Sequence, residues 1–202
     1  MIALIDYGIG NLHSVAKAIQ KAGGQVVVTG NAEVILSAQK VVLPGVGAFG
    51  DGMRVLQERG LVAPLHELAA RGTPLLGICL GMQLMFESSA ELGDHPGLGL
   101  LPGRVLHFPP SDLKVPQTGW NQLSFPQENP LTRGLEAGCY AYFNHSYYCA
   151  AANVEDVIAV TDYGIDYPSM VARGNLYGAQ FHPEKSQGVG LTILRNFVEV
   201  CA

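Results

Sequence analysis

Four short apolar runs, MIALIDY, QVVVTG, KVVLPG and TPLLGIC, punctuate the first eighty residues of this 202-residue chain. Each is aliphatic or β-branched, each carries or abuts a glycine, and none is long enough to form a helix of ordinary length. Helical spacing fills the gaps. Leu12, Val15, Ala16 and Ile19 share one face after Asn11, which suits an N-cap, and Gly23 suits the stop. GMRVLQERG and LVAPLHELAARG repeat the helical pattern. Strands that alternate with helices require crossover connections, so this half of the chain reads as an α/β fold with a mostly parallel sheet flanked by helices.

After about residue 97 the texture changes. GRVLHF, WNQLSF, GCYAYFNHSYYCA and DVIAVTDYG are strand-like pieces separated by glycine and proline, and MVARGNLYGAQF reads as a hairpin turning at Gly174-Asn175. These predict additional antiparallel strands in the second half. VGLTILRNFVEVC predicts a closing helix. Without repeats, low-complexity tracts or a linker, residues 1–202 are expected to form a single domain.

The composition narrows the classes. With 48% apolar and 14% charged residues, the chain is unlike a disordered one. A net charge of −5 offers no electrostatic basis for nucleic acid or an anionic membrane as the main partner. No apolar run has the length of a membrane span, and the N-terminus lacks the basic and small-residue features of a signal peptide. The four cysteines show no CxxC pair or metal-ligand spacing, so reduced thiols, no metal and a cytoplasmic location are expected.

Three glycine-bearing segments, DYGIGN, PGVGAFGDG and GICLG, follow strand runs directly. In an open α/β sheet the carboxyl ends of the strands are where ligands bind. Gly77-Ile78-Cys79-Leu80-Gly81 is the cysteine counterpart of the G-x-S-x-G nucleophile elbow. In that turn the glycines remove side chains that would collide, the sulfur projects at a helix N-terminus, and the Leu80 N–H points where an oxyanion forms. A lone cysteine at the end of an apolar run is ordinarily packing. A base and an orienting carboxylate elsewhere change that, and His182 and Glu184 in HPEKS supply both. Pro183 restricts His182 to extended backbone, where residues two apart project to one side.

Two lookalikes fail. DYGIGNLHS starts like a dinucleotide fingerprint, but His13 stands in place of the third glycine. GVGAFGD has P-loop spacing, yet Asp51 replaces the lysine and would repel phosphate. The Gly45–Gly52 loop is better suited to wall a pocket and to offer a second oxyanion N–H near Val46 or Gly47.

GICLGMQ together with HPE resembles the class I glutamine amidotransferases. DYGIGNL, PGVGAFGDGM, GWN and HPEKSQ are similar to the glutaminase subunits of imidazole glycerol phosphate synthases within that family. The resemblance spans residues 4 to about 197. It implies a flavodoxin-like α/β fold, no cofactor, and glutamine hydrolysis with Cys79 as nucleophile, His182 as acid and base, and Glu184 as orienting carboxylate. It further implies that Gln83, His145, Ser146 and Tyr147 help hold glutamine. Asn11 and Lys185 are implied near the interface of a heterodimer whose partner is a (β/α)8-barrel cyclase of histidine biosynthesis. Gln117-Thr118 and Asn144 depart from the family's usual His-Met and Val. The alternatives are a glutaminase serving another synthase, such as the pyridoxal phosphate one, or a non-catalytic, redox-sensing α/β module with a reactive cysteine.

Overall fold

In the computed structural model, which describes residues 1–199 and 201, the alternating N-terminal pattern becomes a layered α/β core. In chain order it runs β1 (Ile2–Ile5), α1 (Leu12–Lys21), β2 (Val26–Thr29), α2 (Ala32–Ser37), β3 (Lys40–Leu43), α3 (Phe49–Glu58), α4 (Val62–Ala70), β4 (Leu75–Ile78) and α5 (Leu80–Leu84). The second half adds β5 (Phe86–Ser89), β6 (His95–Pro96), β7 (Leu101–His107), β8 (Gln117–Leu123), β9 (Cys139–His145), β10 (Tyr147–Ala151), β11 (Val157–Asp162), β12 (Asp166–Arg173), β13 (Leu176–Ala179) and α6 (Gln187–Glu199).

Among the described residues, a seven-stranded sheet has the order β11-β12-β13-β4-β3-β1-β2. The five strands from β13 to β2 are parallel, and β12 and β11 extend one edge antiparallel. Side chains alternate across this sheet as its pleat requires. Leu4, Val42, Leu76 and Ile78 join a core with Val15 and Ile19 of α1 and Ile193, Leu194 and Phe197 of α6. Ala3, Ile5, Val41, Leu43 and Leu75 join the opposite core, with Phe49, Met53, Leu56, Leu65 and Leu68 of α3 and α4. Burial on both faces explains why these strands read as unbroken apolar runs.

Two smaller sheets stand beside the first: β10-β7-β5-β6, and the antiparallel pair β8-β9. The segment GCYAYFNHSYYCA, read as one strand-like piece, therefore splits at Ser146. His145 ends β9 and Tyr147 begins β10, in different sheets. Ser146 itself holds the Phe108 N–H through its carbonyl. The helix after Cys79 is only five residues long, because Phe86 enters β5 almost at once. The short α2 was not anticipated, although Asn31 caps it by accepting from the N–H groups of Glu33 and Val34.

The feature that positions the site is the pairing of β13 with β4, in which Ala179 faces Ile78. Parallel neighbours release the chain at the same rim. Cys79 leaves β4 there, and His182 follows β13 by three residues.

Candidate active site

Cys79 occupies the turn between β4 and α5 with φ 53° and ψ −113°, outside the usual regions for a residue bearing a Cβ. Its N–H donates to the Ala179 carbonyl at 2.7 Å, and its carbonyl accepts from Met82 and Gln83. The flanking glycine is steric necessity. A Cβ on Gly81 would stand 1.8 Å from the Leu43 carbonyl oxygen, so no larger residue allows β3 to approach the elbow.

His182 is buried and donates from Nδ1 to Glu184 Oε1 at 2.9 Å. The contact anticipated between them exists, but the backbone achieves it differently. Only His182 is extended, whereas Pro183–Lys185 form a 3-10 turn that curls Glu184 back beneath the ring. Ser186 locks the turn by donating to the His182 carbonyl at 2.7 Å while accepting the Tyr142 N–H. Burial by itself would lower the imidazole pKa. Hydrogen bonds to the Cys79 sulfur and the Glu184 carboxylate, together with the charge of both, outweigh it and raise the value to about 10. His182 thus holds a proton at neutral pH beside the sulfur. The five-residue α5 carries little macrodipole, so the positive charge beside the Cys79 sulfur comes from this imidazole rather than from the helix.

A cleft of about 290 Å3 opens over this pair, lined by Cys79, Leu80 and His182 on one side and by Val46 and Gly47 on another. Gln83, His145, Ser146, Tyr147 and Lys185 also line it. Gln83 Nε2 donates to the Tyr147 carbonyl at 2.9 Å and to Gln180 Oε1 at 3.1 Å, so this amide braces the wall from behind. His145 is likewise committed to the protein: Nδ1 donates to the Tyr147 carbonyl at 2.8 Å, and Tyr167 Oη stands 3.3 Å from Nε2. Burial, with the His182 charge adding, lowers its pKa to about 4 against the pull of the Tyr147 carbonyl, so His145 stays neutral. Asn11 lies outside the cleft as the cap of α1, accepting the Ser14 N–H, and Lys185 sits at the mouth with its ammonium 5.6 Å from the Tyr142 ring centre.

Sequence reasoning missed Glu91. It lines the same cleft and accepts the Phe49 N–H at 2.7 Å through Oε2. Nothing local marks it, since the residue it holds lies 42 positions away. The two departures from the family pattern also meet. Thr118 and Asn144 are cross-strand partners in β8-β9, and Thr118 Oγ1 donates to Asn144 Oδ1 at 3.1 Å. Gln117, opposite His145, accepts from Tyr167 Oη at 2.8 Å. A larger hollow of about 720 Å3 within the Phe125–Leu135 segment holds neither cysteine nor histidine and has no comparable chemistry. No group of histidine, cysteine or acidic side chains among the described residues has a metal-site arrangement.

Comparison with known proteins agrees with this geometry. Residues 3–201 match the family model described as glutamine amidotransferase class-I. The chain is 52% identical over 199 residues to the imidazole glycerol phosphate synthase subunit HisH of Moorella thermoacetica, covering 98% of this chain and 94% of that one. It is 50% identical to the protein of the same name in Methanosarcina mazei, covering 99% and 98%. Among solved structures, one titled as a glutamine amidotransferase superposes with a TM-score of 0.77 at 18% identity, covering 98% of each chain. PurLQS from Thermotoga maritima gives 0.72 at 18% identity, covering 98% of this chain and 96% of that one. At such identities these two structures speak to the fold alone.

Proposed function

The chain belongs to the class I glutamine amidotransferases, and on that premise we propose that it is the glutaminase subunit of an imidazole glycerol phosphate synthase. The observation that carries the chemistry is the row of Cys79, His182 and Glu184 at the carboxyl rim of the parallel sheet, with the His182–Glu184 hydrogen bond at 2.9 Å.

In this reading the Cys79 sulfur attacks the side-chain amide carbon of glutamine. The oxyanion that forms is held by the Leu80 N–H and by a second N–H from Val46 or Gly47 across the cleft. A donor of this kind stabilises the transition state by roughly 3 to 4 kcal/mol. His182, already protonated, gives its proton to the departing ammonia. It then takes a proton from water as that water opens the thioester to glutamate, and Glu184 keeps the ring oriented through both steps. Free glutamine carries an ammonium and a carboxylate. The Glu91 carboxylate is suited to the ammonium, and the Ser146–Tyr147 wall, braced by Gln83 and His145, faces the rest.

Ammonia is largely protonated in water at neutral pH and is then no longer nucleophilic. A subunit that releases it therefore needs an acceptor subunit in direct contact. We assign that role to a (β/α)8-barrel cyclase that closes the imidazole ring, docked on the rim that carries Asn11 and Lys185. The test is glutamate release from glutamine by the purified chain, with and without the cyclase and its nucleotide ligand, beside Cys79→Ala. Turnover is expected to need Cys79 and to rise when the liganded cyclase binds. Turnover that ignores the cyclase would move the chain to another synthase, and its complete absence would reject the glutaminase.

A further inference from the structure

The segment DYGIGN closes β1 and has no part in the chemistry described so far. Its tyrosine supplies one. Tyr7 is fully buried, and its hydroxyl donates to the Pro44 carbonyl at 2.8 Å, across 37 residues of sequence. Pro44 opens the loop whose Val46 and Gly47 face Cys79. At the far end of that loop the Phe49 N–H is held by Glu91. Between these two tethers, among the described residues, no side chain hydrogen-bonds the backbone of residues 45–48. Val46 and Gly47 are exposed, and Gly47 has φ 95°.

The packing at the first tether is close. A Cβ on Gly45 would stand 2.7 Å from Tyr7 Oη, 2.9 Å from Leu80 Cβ and 3.0 Å from the Gly81 nitrogen. Tyr7, Gly45 and the elbow therefore meet at one point. The peptide unit is planar, so holding the Pro44 oxygen also sets the direction of the Gly45 N–H and the heading of the loop beyond it.

We propose that Tyr7 is a positioning residue for the oxyanion loop: its hydroxyl fixes the Pro44–Gly45 peptide and so aims the loop's N–H at the oxygen that becomes charged in the transition state. This rests on the glutaminase reading above. Burial, with the charge of Cys79 adding, raises the phenol well beyond its usual range, so the hydroxyl remains a donor throughout the working pH.

The test compares wild type with Tyr7→Phe, each assayed with the cyclase bound. The variant's kcat is expected to fall about tenfold or more, while KM for glutamine stays within about twofold, since the loss is confined to the transition state. The γ-aldehyde analogue of glutamine gives an independent readout. The Cys79 sulfur adds to its aldehyde carbon as the C=O π bond opens, and the aldehyde oxygen, which takes the proton held by His182, then occupies the oxyanion position. Its affinity should fall by a similar factor, while alkylation of Cys79 by iodoacetamide, with loss of iodide, keeps its rate. A purely structural tyrosine would instead lower the unfolding midpoint and disturb KM and alkylation together.

Unchanged kcat and aldehyde affinity would overturn the proposal, as would equal losses in every readout. Where Tyr7→Phe does not fold, Tyr7→Leu takes its place, and failure of both would make Tyr7 a core residue and end the idea. Wild type that turns over beside an equally active Tyr7→Phe refutes this inference alone. Wild type with no turnover removes the glutaminase reading, and this proposal with it.

Discussion

The backbone at Cys79 is the most strained point in the site. With φ 53° and ψ −113° the residue sits where a Cβ costs about 1–2 kcal/mol and glycine costs little. Cys79→Gly is accordingly expected to be more stable than Cys79→Ala by about 1 kcal/mol, the reverse of the usual order, in urea unfolding of the two variants. His182 offers a second test. Its folded pKa of about 10 exceeds the ordinary 6.5, so the stabilisation from its charged form is complete below about pH 6.5 and is lost as pH rises through about 10. Glu184→Gln removes one of the two partners that raise it. On the proposed mechanism the alkaline limb of kcat/KM, set by the His182 proton, should then move to lower pH, and kcat should fall roughly 10- to 100-fold for the loss of a charged hydrogen bond. A limb that does not move would mean that Glu184 leaves the imidazole's proton affinity alone. The elbow at Cys79 and the pairing of His182 with Glu184 were legible in the sequence, because glycine spacing and a three-residue motif are local signals. Glu91 and Tyr7 were not, because each acts on backbone about forty positions away.

At the scale of elements, the chain closes on itself through Lys40. Its ammonium donates to the carbonyls of Phe197, at 2.8 Å, and Val198, at 3.0 Å, in the last turn of α6, and to that of Cys201 beyond it. The first two are carbonyls a helix end leaves unpaired, and the cation also meets the negative end of the helix dipole. Lys40→Met is expected to destabilise the protein by about 1–3 kcal/mol in urea unfolding while leaving kcat unchanged. A stable variant would mean that water caps α6 equally well. Strands and helices were readable where their periodicity was long, as in α1 with its Asn11 cap. The division of GCYAYFNHSYYCA between two sheets was not, because Asn144 and Ser146, with no glycine or proline beside them, are a weak turn signal inside an otherwise strand-like aromatic run. The Thr118–Asn144 pair teaches a related lesson. Read along the chain, the departures were two unrelated oddities 26 residues apart, and the antiparallel register of β8-β9 makes them a single polar contact.

For the molecule as a whole, one patch beside the catalytic turn stands out. Trp120 and Tyr140 are 47% and 52% exposed, and they border a hollow that continues over Ser186 to Val189 at the start of α6. Large exposed aromatics are common anchors of interfaces, and Ser186 ties this hollow to the backbone of His182. Trp120→Ala is therefore expected to weaken binding of the cyclase tenfold or more, a cost of about 1.4 kcal/mol, with little change in the urea midpoint. Unaltered affinity, read by titration of the cyclase, would place the docking face elsewhere on the rim. The sequence by itself determined the layered α/β plan, the elbow at Cys79 and the pairing of histidine with carboxylate, because these follow from hydrophobic periodicity, steric limits and contacts within a few residues. Only the tertiary structure decided that β13 lies against β4, and with it that His182 stands beside Cys79, that Glu91 enters their cleft and that Tyr7 holds the facing loop. Such contacts depend on strand order and register, which are set when two apolar faces of one sheet are buried at once, and no short stretch of chain encodes that choice.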